Sequence, residues 1–172
     1  MYTKTTWTEG VTGLSAENLL NLETQYDKAV ADIAPATKEF FVPVTGVGNA
    51  GVYAGYLYTL SAPAQYARLL ARLPADFLTL TAAKIVLYAT GTGTFDWTCN
   101  TSWGTIGEHH DGTTDTATAD GQAVTDQHIL ELDVSAAFTG VAALDTIKIT
   151  FILDALATTT AINVLGINFK YA

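Results

Sequence analysis

The stretch "TIKITFILDA", residues 146–155, alternates apolar and polar side chains over its first six positions. Ile147, Ile149 and Phe151 fall on one side, and Lys148 and Thr150 on the other. That period of two is the signature of a half-buried β-strand. Downstream, "AINVLGINFKYA" (161–172) reads as a final strand. Upstream, "QHILELDVS" (127–135) alternates again, placing His128, Leu130, Leu132 and Val134 inward and Glu131 and Asp133 outward. "AAKIVLYAT" (82–90) and "TFDWTCNTSW" (94–103) are strands separated by a "GTG" turn, and "FTGVAALD" (138–145) is a crossing loop.

Nearer the front, "VYAGYLYTL" (52–60) is aromatic and β-prone, and "TGVGNAG" (45–51) is a turn or loop. "EFFVPV" (39–44) is strand-like, with Pro43 confined to an edge or a strand end. "SAPAQYARLLARLPADF" (61–77) stays open: Tyr66, Leu69, Leu70 and Leu73 have helical spacing, and a strand ending at "LP" fits as well. Residues 104–126 are rich in Gly, Thr and Asp, and read as a long excursion loop with at most one weak strand. The total is seven or eight strands, with no recurring strand–helix alternation and no fixed-period repeat. The expected fold is mainly β: an antiparallel, jelly-roll-like β-sandwich over 37–172, preceded by one short N-terminal helix.

That helix is expected within 14–36, where Ser15 offers an N-cap and Pro35 a stop. Leu19, Leu22, Tyr26, Ala29 and Ile33 are spaced by three, four, three and four, a seam two heptads long. Such a seam is too short to hold a helix alone, and it predicts a homotrimer whose helices meet along one axis. Residues 1–13 form an extended arm bearing Tyr2 and Trp7.

Composition narrows the function classes. Of 172 residues, 49% are hydrophobic and only 15% charged, which implies surface buried against other subunits. The net charge is −9 and the eight Lys and Arg are scattered, so neither nucleic acid nor an anionic membrane is an expected partner. No segment reads as a secretory signal or a membrane span. The single cysteine, Cys99, excludes an intramolecular disulfide.

The candidate sites are sparse. Glu108, His109, His110 and Asp111 form a loop with the donor types of a ligand or metal site. A solvated loop or an intersubunit contact is the simpler expectation, so no metal or cofactor is assigned. Asp111, Asp115, Asp120 and Asp126 offer oxygen ligands for calcium but lack the spacing of an EF-hand. Cys99 beside His109 or His110 would make a nucleophile–base pair, yet Cys99 shares a strand face with Phe95, Trp97 and Thr101 and reads as core. His128 likewise reads as a core or interface residue. Glu131 and Asp133 share a face, as a glycosidase carboxylate pair would, but solvated surface is the simpler expectation there. Tyr53, Tyr56, Tyr58, Trp97 and Trp103 are candidates for sugar stacking, with packing the simpler role. No nucleophile elbow, zinc-protease helix motif or phosphate-binding glycine loop is present.

One further likeness is carried by "TTWTEGVTGLSAENLLNLETQYDKA" (5–29). Its Trp7, Gly10, Leu14, Ala16, Asn18, Leu19, Leu22 and Glu23 follow a pattern that resembles the N-terminal segment of tailed-bacteriophage virion proteins. "RLPADF" (72–77), "FDWT" (95–98), "LELDVS" (130–135) and "VLGINFKY" (164–171) are similar, more loosely, to sandwich domains of phage structural proteins. The resemblance implies a non-enzymatic virion structural protein: a homotrimeric head fibre, a capsid decoration protein or a short tail fibre component. Tyr2 and Trp7 would dock on capsid or tail proteins. The alternative it implies is the receptor- or glycan-binding tip of an adhesion device.

Overall fold

The computed structural model describes residues 16–32, 37–49, 51–54, 57–159 and 161–172. The chain divides into two units, Met1–Ala36 and Thr37–Ala172. In the first, α1 spans Ala16–Asp32, a length of about 25 Å. It ends before Pro35, and its last turn holds no basic side chain to offset the negative helix end. Leu22 and Tyr26 are 43% and 71% exposed. The side chain of Leu19, the whole of Ile33, and the arm residues Tyr2 and Trp7 lie outside the described residues. No described helix is long and apolar enough to cross a membrane.

The second unit is built from two antiparallel sheets. In chain order its strands are β1 (Lys38–Pro43), β2 (Gly46–Gly48), β3 (Val52–Ala54), β4 (Leu57–Leu60), β5 (Tyr66–Arg72) and β6 (Leu80–Thr90). They continue as β7 (Gly93–Gly104), β8 (Thr113–Val124), β9 (Ile129–Asp133), β10 (Thr146–Ala157) and β11 (Ala161–Tyr171). A single 3-10 turn, Ser135–Phe138, follows β9. One sheet runs β3-β4-β11-β6-β9, with β1 also paired to β11; the other runs β2-β5-β10-β7-β8. Apart from the β3–β4 and β7–β8 pairs, successive strands lie in different sheets. The chain therefore crosses repeatedly between layers, as in a jelly roll.

Alternation fills the space between the layers. β10 contributes Ile147, Ile149, Phe151 and Leu153, and β7 contributes Phe95, Trp97, Cys99 and Trp103. From the facing sheet come Ile85 and Leu87 of β6 and Ile162, Val164, Ile167 and Phe169 of β11, all in the same apolar cluster. Trp97 stacks on Phe151 at 5.8 Å, and Phe138 meets Phe169 edge-on at 5.2 Å. Pro43, which has no N–H to donate, sits at the end of β1, and among the described residues β1 pairs with β11 alone.

One open reading is resolved and two expectations change. The open segment 61–77 contains strand β5: Ala67, Leu69, Ala71 and Leu73 are buried, whereas Leu70 is 59% exposed. Helical spacing would put Leu69 and Leu70 on one face; the ladders to β2 and β10 put them on opposite faces. The expected loop 104–126 shrinks to 105–112, because Thr113–Val124 pairs along β7 as an edge strand. β-branched threonines suit a pleated edge, and Ala117 and Ala119 turn toward the core. A bulge relieves the run at Gly121, whose φ of 66° suits glycine and whose N–H donates to Asp96 Oδ1 at 2.7 Å. Finally, His128 is exposed, not inward. Gln127 turns the chain with a φ of 58°, so alternation begins only at Ile129.

Candidate functional site

The β7–β8 connection, residues 105–112, is made of two successive tight turns. Glu108 N–H donates to Thr105 O at 3.0 Å, with Gly107 supplying a φ of 96°, and Gly112 N–H donates to His109 O at 3.0 Å. The Glu108 carboxylate returns to accept from Thr105 N–H at 3.2 Å. The His109 carbonyl packs so closely on Gly104 that a Cβ there would lie 2.7 Å from it. The turns therefore fix the backbone that carries three exposed side chains. His109 Nδ1 contacts Asp111 Oδ1, and the rings of His109 and His110 stack at 5.6 Å. His110 Nδ1 lies 4.0 Å from the same carboxylate oxygen. The hydrogen bond from His109 is the largest cause holding the Asp111 carboxyl below the usual carboxylate range.

Beside the turn, the outer face of the second sheet holds a shallow cleft of about 300 Å³, lined in part by Asp111, Asn100, Ser102, Thr114, Thr116 and Lys148. Hydroxyls, an amide, two carboxylates and the Lys148 ammonium group line it, and Thr116 Oγ1 donates to Asn100 Oδ1 at 2.8 Å. Apart from Asp111, these residues escaped the sequence reading as a site. Their signal was the polar half of the β7 and β10 alternation, which acquires a third wall only once 113–124 is read as a strand. The outer face of the other sheet carries a different surface. Phe41 is 51% exposed and overlies Gly166, where a Cβ would approach its ring to 2.3 Å, and Ile129 is 70% exposed.

No protein-family model matches this sequence. No curated protein matches it either. Among solved structures, the chain is similar to a low affinity xylan binding module, CBM86, from the gut symbiont Roseburia intestinalis, at 15% identity and a TM-score of 0.35. That match covers 80% of this chain and 97% of the module. It is also similar to TmCBM61 in complex with β-1,4-galactotriose, at 14% identity and a TM-score of 0.31, covering 78% of this chain and 87% of that one.

The remaining candidates do not converge. Cys99 is fully buried, and burial pushes its thiol up to about 12, which leaves no thiolate for attack. His109 and His110 stand in the exposed turn, and His128 Nδ1 is 2.8 Å from the Asp126 carbonyl in another loop. The four aspartates proposed for calcium are spread along β8 and its flanks. Asp115 already accepts from the Thr139 and Thr116 N–H groups at 3.0 and 2.8 Å, and Asp126 from Gly91 N–H at 2.7 Å. Glu131 pairs with Lys84 at 2.8 Å, and Asp133 accepts from Ser135 N–H at 2.9 Å. Trp97 and Trp103 are core residues, the Tyr53 ring meets that of Tyr58 at 4.9 Å in a tilted arrangement, and Tyr56 lies outside the described residues.

Proposed function

We propose that this chain is a non-enzymatic structural protein of a tailed-bacteriophage virion, assembled as a homotrimer. The observation that carries the reading is that an α-helix forms over the predicted seam: α1 is 17 residues long and places apolar Leu22 and Tyr26 one helical turn apart. A helix that short is marginal without a surface to pack against. Two further chains supply that surface along the seam predicted from Leu19 to Ile33. The sandwich supports the same reading through what it offers for contact: Phe41 and Ile129 on one outer face, and a polar cleft on the other. The Trp-Gly-Leu pattern around residues 5–29 supports the assignment to a virion, as a head fibre, a capsid decoration protein or a short tail fibre component.

The test is location. Antibody raised against residues 37–172 should label intact, purified particles of the phage encoding this chain at repeated sites visible by electron microscopy. Particles that carry no label, while the chain is detected in the infected-cell lysate, would overturn the assignment.

A further inference from the structure

The β7–β8 turn gathers two imidazoles and a carboxylate whose ligand atoms all lie within 4.8 Å of one another. We propose that His109, His110 and Asp111 bind one divalent transition cation of the zinc, cobalt or nickel class at the surface of the sandwich.

Sequence spacing alone argues against this trio, because neighbouring histidines on a strand point to opposite faces. The turn removes that objection. His109 opens the tight turn closed by Gly112 N–H, and within it the two rings stack on the same side, with Asp111 against them. The contact between His109 Nδ1 and Asp111 Oδ1 is one that a metal ion can occupy in place of the proton. Ligand bonds of about 2.0–2.2 Å put the three donor atoms roughly 3.3 Å apart, so His109 Nδ1 and Asp111 Oδ1 must part from direct contact while His110 Nδ1 closes from 4.0 Å. Exposed side chains on a fixed backbone reach that by rotation alone. The backbone is fixed by the hydrogen bonds at Glu108, Gly112 and Thr105, and by the seat of the His109 carbonyl on Gly104.

The donor set selects the cation. Imidazole nitrogen suits zinc, cobalt, nickel and copper, whereas calcium and magnesium want oxygen throughout. Glu108 is not part of the set, since its carboxylate is committed to the Thr105 N–H. Three protein ligands leave at least one position open for water or an outside donor. The net charge of −9 favours a cation over an anion here.

The experiment uses the full chain with any affinity tag removed. Zinc is titrated by calorimetry, and cobalt by its visible absorption. The expected result is one ion per chain with a Kd tighter than about 100 μM. The double variant His109→Ala/His110→Ala and, separately, Asp111→Asn should each weaken zinc binding at least tenfold. His128→Ala, outside the turn, should leave it unchanged. Circular dichroism establishes that each variant is folded, and Asp111→Asn serves alone if the double variant is not. Binding weaker than about 100 μM in the unaltered chain, or equal binding in the folded variants, overturns the proposal.

Discussion

Cys99 and Asp115 lie on neighbouring strands and show how two titratable side chains are used as structure. The Cys99 sulfur is enclosed by core, and burial pushes the thiol up to about 12. It should therefore resist an aromatic disulfide reagent at pH 8 in native protein and react once in denaturant. Fast native labelling would show that the strand opens on its own. Asp115 works in the opposite sense. The Thr139 N–H is the largest cause lowering its carboxyl below the usual range, followed by the Thr116 N–H. A carboxyl depressed in the folded state binds its proton more readily when unfolded. Its contribution to stability is therefore present above the unfolded value of about 4, and fades as pH falls through the folded one. The urea midpoint should drop more between pH 5 and pH 3 in the unaltered protein than in Asp115→Asn. Parallel drops would mean that the N–H contacts to Asp115 do not favour its charged form.

Among the elements, β8 decides how the second sheet ends. Deleting Gly112–Gly121 removes most of this edge strand and its ladder to β7. Each backbone bond lost is worth about 0.5–1.5 kcal/mol net, so the deletion should cost several kcal/mol. The expected outcome is a large fall in melting temperature; an unchanged melting curve would mean the strand contributes nothing to the sandwich. The same element shows what the sequence makes legible. β10 could be read directly, because Ile147, Ile149 and Phe151 face the core while Lys148 and Thr150 do not. β8 could not, because its core side is only Ala117 and Ala119 against a background of Thr, Asp and Gly. An edge strand needs little apolar surface, so hydrophobic alternation fades where the ladder still runs. β5 stayed open between helix and strand for a different reason: exposed Leu70 beside buried Leu69 mimics a helical face. The turn residues Glu108 to Asp111 could be singled out by type. The convergence of His109, His110 and Asp111 could not, since it depends on the two turns that carry them.

At the scale of the whole molecule, the account rests on chains meeting through α1. Leu22 is the second of the five predicted seam positions and lies within α1. In the proposed trimer, Leu22→Asp would place a charge on the shared helical axis, at a cost of several kcal/mol across the assembly. That variant should shift toward smaller species on dilution while its sandwich keeps its melting temperature, as followed by near-ultraviolet circular dichroism. The low charged content and the exposed Phe41 and Ile129 are consistent with sandwiches that also touch one another. The most direct measurement is the mass of the full chain in solution by light scattering at micromolar concentration. The account predicts a species of three times the 18.2 kDa chain mass; a monomer at that concentration would contradict it.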